Sequence, residues 1–563
     1  MNTRTDTASK PGPIAYPTAQ GGAPTAYPLT AFTDIRLIAG NSAAWRARRA
    51  LIAQASQSID LCYFIVETDP SSYALVQDLI AKANQGVKVR VLVDYLMTYP
   101  HAPLLRTLAQ GNATIEVRRY GAPPAAWLQA LTRGGVDANR FLEGLARQKP
   151  AMILEAIAPV AALPKSITDT LRKTLHRYEQ GTLTFVLRVF EIFQEARNSL
   201  RALLDSATKN AGRADPKVPG LFERLKAKVE EVRRGVALVI EIVRGLEAFL
   251  YRTHHKLLLV DGSTFIMGGR NLSDAYQCDV LALGRAFRDV DVQALARGAS
   301  AGAHAQAFEV LWQSSDSEQL HDPAALDAGG PALSAEKIEE LSPKPDAVVA
   351  ADAQGDVWPL PALDGYIVNN LPGKGGDTSI TKAYTERIRA AAESGTGQAI
   401  DIVSAYTFFL DKEFGSPTLN ELRDALADAV RAGSIVNIYT NSIDSTDLKA
   451  VNAAAYQTFA ELIDCGVHVY ELAPGQGSLH AKVAAIGDDW LMIGSFNMDP
   501  RSELYDTNNL IVFRDVGGMG TSALRDGFIR KLAWTPLSAQ EARQLAQDKR
   551  LAVFNLPATQ RLL

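Results

Sequence analysis

At 563 residues, the chain is long enough for two or more domains, each with its own core. Its 47% hydrophobic and 21% charged residues are those of an ordinary globular protein, and 58 Lys and Arg against 62 Asp and Glu leave a net charge of −4. That balance argues against wholesale binding of nucleic acid, which needs clustered cations, and leaves room for a local basic site. The three cysteines, Cys62, Cys278 and Cys465, are scattered and lack disulfide or metal-ligand spacing, so neither a disulfide framework nor a zinc site is expected.

In chain order, residues 1–34 read as a disordered tail rich in Pro, Ala, Thr and Gly, with no signal-peptide pattern. No apolar run is long enough to span a bilayer, so any membrane contact is expected to be peripheral, at the cytoplasmic surface of the inner membrane. Folding is expected to begin near Leu37. The stretch AAWRARRALIAQASQSIDLCYFIV reads as a helix and then a buried strand ending near Val66. SYALVQDLIAKANQGVKVRVLVDYL repeats that order, with Gly86 as a helix C-cap and Val87 to Val93 as the next strand.

Late in the chain, QAIDIVSAYTFFL answers QSIDLCYFIV, and LNELRDALADAVRAGSIVNIYTNSI answers the helix, glycine and strand that follow it. The fold class is therefore α/β, with two duplicated halves, each a parallel-rich or mixed sheet flanked by helices. The first half is expected over 35–315, a linker rich in Pro, Ala, Asp and Gly over 316–365, the second half over 366–545, and a C-terminal segment over 546–563. An insert over about 123–250 matches neither copy. Its stripes at Phe185, Val189, Phe193, Ala196 and Leu200, and at Leu221, Leu225, Val229, Val232, Val236, Val239, Val243, Leu246 and Leu250, predict a helical subdomain; the alternative is a lid or lipid contact.

The chemistry sits in two matching strings. In THHKLLLVDGSTFIMGGRN, His254, Lys256 and Asp261 fit H-x-K-x4-D, and Asn271 follows in the turn. In LHAKVAAIGDDWLMIGSFN, His480, Lys482 and Asn497 stand at the same offsets. Strands are expected over Leu257 to Val260 and Val483 to Ile486. Residues two apart on a strand share a face, so each His projects beside its Lys. One neutral imidazole can attack phosphorus while a second, protonated, donates to the leaving alkoxide. Lysines and asparagines then meet the charge on the phosphoryl oxygens, with no cofactor or metal called for. Only eight histidines are present, so a duplicated His-x-Lys with a matched Asn is improbable by accident.

These two strings are those of the phospholipase D superfamily, and GGRNLSDAYQ, FRDVDVQALARG, TNSIDSTDLKAVNAAAYQTFAELIDCGVHVYEL and GSFNMDPRS resemble its bacterial cardiolipin synthase C-like branch. The resemblance covers about 35–120 and 250–545 and leaves out the insert. It implies His254 and His480 as the catalytic pair and Lys256, Asn271, Lys482 and Asn497 as phosphate ligands. Gly269 and Ser495 fall beside the phosphate, with Asp261 counted among the substrate-side residues. It further implies a carboxylate behind each histidine, a place that Asp289 takes in the first half, with Asp291 two residues on. The second half departs from the pattern at Gly487, with Asp488 one residue late, and at Asn508, which stands where the family has a glutamate; Asp506 is a possible substitute. These departures point to His254, backed by Asp289, as the nucleophile. The function implied is phosphatidyl transfer or hydrolysis on membrane phospholipids. The alternatives are a nuclease or other phosphodiesterase, which the charge opposes, and a catalytically impaired lipid-binding protein.

Overall fold

The structure is a computed structural model that describes residues 29–147, 149–157, 205, 229–230, 249, 251–277, 286–298, 302–314, 317–319, 331–342, 356–371, 377–395, 397–409 and 416–547. The first half contributes β1 (Thr30–Ile38), β2 (Ser58–Tyr63), β3 (Lys88–Asp94), β4 (Ile115–Tyr120), β5 (Arg252–Thr253), β6 (Lys256–Val260), β7 (Thr264–Gly268), β8 (Phe287–Arg288), β9 (Asp291–Ala296) and β10 (Ser317–Gln319). The second contributes β11 (Val357–Pro359), β12 (Leu363–Asn370), β13 (Ala399–Ser404), β14 (Ile435–Thr440), β15 (His468–Leu472), β16 (Ser478–Leu479), β17 (Lys482–Ile486), β18 (Trp490–Gly494), β19 (Asp506–Arg514) and β20 (Trp534–Pro536).

Each half is a mixed sheet with one parallel wing. β2, β3 and β4 run parallel, then β6, β7 and β9 add antiparallel; β13, β14 and β15 repeat the wing, then β17, β18 and β19 repeat the antiparallel part. The parallel strands are joined by helices, as the crossover geometry requires: Pro70–Ala83 lies between β2 and β3, and Pro417–Arg431 between β13 and β14. Both helices start on a side-chain cap, Asp69 accepting from the Ser72 N–H and Ser416 from the Leu419 N–H, with Pro at the first turn.

The halves meet face to face. Leu257, Leu259, Phe265, Met267 and Val292 of the first sheet and Val483, Ala485, Leu491, Ile493, Ile511 and Phe513 of the second belong to one buried cluster. Separate clusters fill the space between each sheet and its own helices. Strands buried on both faces read as continuous apolar runs, which is why LLLV and VAAI show no alternation.

β1 starts at Thr30, inside the stretch expected to be a tail, and pairs with β9 of the first half and with β11 and β12 of the second. Its register shifts between Thr33 and Arg36, where Asp34 takes φ 54°, and that bulge breaks the alternation by which a strand is read from sequence. β12 likewise begins within the expected linker. From Ala125 to Ile157 the insert is helical, as three short helices Ala125–Arg133, Ala138–Ala146 and Pro150–Ile157. The longer stripes expected beyond it lie outside the described residues, apart from Val229, which is buried. Among the described residues no helix is long and apolar enough to cross a membrane.

Candidate active site

Each motif histidine is presented by a two-residue strand that pairs in parallel with the opposite half. β5 pairs with β19, Thr253 opposite Thr507, and the His254 N–H donates to the Thr507 carbonyl at 2.9 Å. β16 pairs with β8, Leu479 opposite Arg288, and the His480 N–H donates to the Arg288 carbonyl at 2.8 Å. Asn441 secures the second arrangement: its Nδ2 donates to the Ala405 and Leu479 carbonyls and its Oδ1 accepts from the Leu479 N–H.

This crossing decides what stands behind each imidazole. The residue after Thr507 is Asn508, and its Oδ1 lies 2.9 Å from His254 Nδ1. The residue after Arg288 is Asp289, and its Oδ2 lies 2.8 Å from His480 Nδ1. Asp289 therefore backs His480, not His254 as expected from sequence. The physical reason is that each histidine strand is bridged to the other half, so its neighbour in space comes from there.

The Asn508 amide fixes a tautomer. Its Nδ2 donates to the Ser502 carbonyl at 3.0 Å, and its Oδ1 also accepts from Ser495 Oγ at 2.9 Å. Only an N–H can face that oxygen, so His254 carries its proton on Nδ1 and keeps a lone pair on Nε2. Behind His480, Asp289 Oδ1 accepts from the Val290 N–H at 2.8 Å. Arg270 donates to the Asp289 carbonyl at 2.6 Å and pairs with Asp291 at 3.1 Å. Gly269 and Ser495 occupy equivalent places. Ser495 spends its hydroxyl on Asn508, whereas Gly269 makes room for the Asp289 carboxylate, which a Cβ there would meet at 2.4 Å.

The lysines follow the strand rule. Lys256 Nζ donates to the His254 carbonyl at 2.9 Å and Lys482 Nζ to that of His480. Phe64 stands edge-on to His254 at 5.0 Å; Tyr276 and Phe287 stand edge-on to His480 at 5.0 and 5.3 Å. Asn271 Oδ1 accepts from the Ile65 N–H at 3.3 Å, while Asn497 Oδ1 is buried without a hydrogen-bond partner.

Both histidines, both lysines, Asn271, Asn497 and Asp289 are buried. Burial, and then the charges of Lys256 and Lys482, hold both imidazoles well below the ordinary range. Burial, and then repulsion from Lys482, drives Lys256 far down, and burial brings Lys482 down to about 8. Burial pushes the Asp289 carboxyl up, against the pull of Lys482, Arg270 and Lys256. Two lysines and two imidazoles crowded into one buried pocket have their basicity held down, and an anion entering there would relieve that crowding.

Asp261, expected on the substrate side, is elsewhere. It follows β6 at the end remote from Lys256, and its carboxylate accepts from the backbone of Ser56, Gln57 and Ser58 and from Ser56 Oγ. It anchors the turn into β2. Gly487 holds the equivalent position with φ 59°, and there Arg525 reaches the Gly487 carbonyl, Asp401 and Asp488. The departure at Gly487 therefore does not reach the histidines. Arg270, Asn441 and Tyr276 were missed as contributors to the site. Only the duplication hinted at them, since Arg270 and Asn441 lie in loops that follow strands and Tyr276 in the short helix Asp274–Gln277.

A family profile described as cardiolipin synthase, PLD-like domain matches residues 49–130 and 386–523. The chain is 26% identical over 284 residues to cardiolipin synthase C of Escherichia coli K12, covering 46% of this chain and 57% of that protein. It is 25% identical over 342 residues to an uncharacterized protein of Helicobacter pylori J99, covering 56% and 65%. The chain thus spans about half to two thirds of the length of these curated relatives. Phosphatidylserine synthase of Haemophilus influenzae Rd KW20 shares the fold, with TM-score 0.53 at 10% identity, over 95% of this chain and 97% of that one. Two duplicated halves, a matched His-x-Lys and Asn in each, and these similarities together make the chain similar to the phospholipase D superfamily and, within it, to the cardiolipin synthase-like branch.

Proposed function

We propose that the protein transfers a phosphatidyl group between alcohols, or to water, through a phosphohistidine on His254. The observation that carries this reading is the unequal backing of the two rings. Asn508 holds His254 as the neutral Nδ1–H tautomer, so Nε2 is free to attack phosphorus. Asp289 faces His480 with a carboxylate, which favours an imidazolium whose Nε2–H can be donated. This reading gives the nucleophile's role to the residue expected from sequence, for the opposite reason.

In the first step the His254 Nε2–P bond forms, the P–O bond to the leaving alcohol breaks, and His480 gives that oxygen its proton. In the second, His480 takes the proton of an incoming alcohol or water, whose oxygen attacks phosphorus as the P–N bond breaks and returns its electron pair to His254. Lys256, Lys482, Asn271 and Asn497 meet the charge on the non-bridging oxygens. The negative phosphodiester offsets the crowding of the two ammonium groups and adds to Asp289 in favouring the His480 imidazolium. Membrane phospholipid as substrate rests on the similarity to lipid-synthesising relatives, and the protein then works peripherally at a membrane surface.

The test is rapid quenching without acid after mixing with phospholipid labelled at phosphorus. Label is expected on the peptide containing His254, and label on His480 instead would reverse the roles. His254→Ala is expected to lose at least about a thousandfold in turnover, since no second route forms the covalent intermediate. Lipid mass spectrometry of a cardiolipin-deficient bacterium expressing the chain identifies the product.

A further inference from the structure

Asp506 stands two residues before Asn508 at the start of β19. Residues two apart on a strand share a face, so its carboxylate leaves β19 on the side where Asn508 meets His254. In register Asp506 lies opposite Arg252, two residues before His254, as Phe287 lies opposite Ser478, two residues before His480. Each crossing segment therefore brings one carboxylate to the histidine it faces, but at a different place. In Phe287, Arg288 and Asp289 it stands directly behind the ring; in Asp506, Thr507 and Asn508 it stands two residues short of it.

The Asp506 side chain is 7% exposed and lies 3.3 Å from Arg501 Nη2, while its Oδ1 accepts no hydrogen bond. A carboxylate so placed acts through its field. The His254 N–H donates to the Thr507 carbonyl and Lys256 Nζ to the His254 carbonyl, so the ammonium sits alongside the start of β19, 5.0 Å from the Phe64 ring centroid. Around Lys256, Lys482 works to remove its proton; Asp506, and then Asp289 and Cys62, work to keep it. Asp506 in turn faces Arg501, Lys256, Arg252 and Asp94.

We propose that Asp506 is a positioning residue for the transfer reaction, supplying the counter-charge of Lys256 while leaving His254 neutral. The inference rests on the phosphohistidine reading above and adds the residue that keeps its phosphate-side lysine charged. A carboxylate behind His254 would favour the imidazolium, which cannot attack phosphorus. The same charge beside Lys256 favours the ammonium, which meets the phosphoryl oxygens. Asp506 and Asn508 together thus put negative charge in the nucleophile's neighbourhood without protonating the nucleophile.

The pH profile of kcat/KM for cleavage of bis(para-nitrophenyl) phosphate by the full chain tests this. Asp506→Asn, which keeps the shape and removes the charge, is expected to move the alkaline limb down by about one pH unit, and Asp506→Glu to restore most of that shift. A merely structural role lowers kcat/KM at every pH and leaves the limb in place. If Asp506→Asn melts early, Asp506→Ser carries the same expectation. In Lys256→Arg the guanidinium keeps its proton throughout, so adding Asp506→Asn is expected to leave the remaining limb unmoved. A limb that stays put when the charge is removed, or that moves equally on the Lys256→Arg background, overturns the counter-charge and leaves the transfer reading standing. No cleavage by the wild-type chain at any pH sinks both.

Discussion

The Cα of Gly269 lies directly against the carboxylate of Asp289, so close that a methyl group there would stand 2.4 Å from one oxygen and 2.5 Å from the other. Real Cβ atoms do not approach oxygen that closely, so Gly269→Ala must displace Asp289 from His480. A loss of about a hundredfold in kcat is expected, with the melting temperature little changed, because the role is orientation of an imidazole and not packing. Wild-type turnover in this variant would show that Asp289 is dispensable.

Exchanging the partners tests the assignment of roles. Asn508→Asp places a carboxylate behind His254 and favours its imidazolium, so the pKa of His254 rises from its depressed value. Nucleophilic attack needs the neutral ring, and the acidic limb of kcat/KM is therefore expected to move to higher pH. A limb that stays in place, measured between pH 4 and 8, would argue that His254 is not the nucleophile.

Lys482 gives a second pH signature. Its ammonium is held down at about 8, so in the free protein the charge that meets the phosphate is lost as pH rises through 8, and kcat/KM is expected to fall there. Stability moves the other way. Between about 8 and the ordinary lysine value the unfolded chain holds the proton that the folded site has released, so this group's contribution to folding becomes less unfavourable as pH rises. Chemical denaturation beside kinetics across pH 7 to 10, repeated with Lys482→Met, separates the two; both trends are expected to flatten in the variant.

Asp261→Ala is expected to lower stability by about 1–2 kcal/mol, because backbone N–H groups of the turn into β2 lose their acceptor, while kcat stays near wild type. A selective loss of substrate affinity without destabilisation would return Asp261 to the substrate side.

Turnover is expected to persist in EDTA, since Lys256 and Lys482 carry the charge that meets phosphorus. Loss in chelator, with recovery on adding one divalent ion, would add a group that the residue roles above do not contain.

The pairing of each His with its Lys was legible in the sequence because a strand repeats every two residues, and the matched Asn was legible because the duplication repeats its offset. What stands behind each ring was not. β5 and β16 are two residues long, too short to show a period, and their partners are more than a hundred residues away in the other half. Asp261 was misjudged because a motif printed in one line hides that Lys256 opens a five-residue strand and Asp261 follows its far end. β1 escaped notice because one bulge at Asp34 puts its buried residues out of step.

The crossed backing of the histidines bears on how such a chain can diverge. Were the two halves separate, identical subunits of a symmetric pair, the residues at 289 and 508 would be one residue type, and any change would strike both rings at once. Joined in a single polypeptide, they are free to differ, and here one is Asp and the other Asn. A division of labour between nucleophile and acid can then be inherited as sequence. Neither half expressed alone would carry a properly backed histidine, whereas the two mixed together could rebuild both.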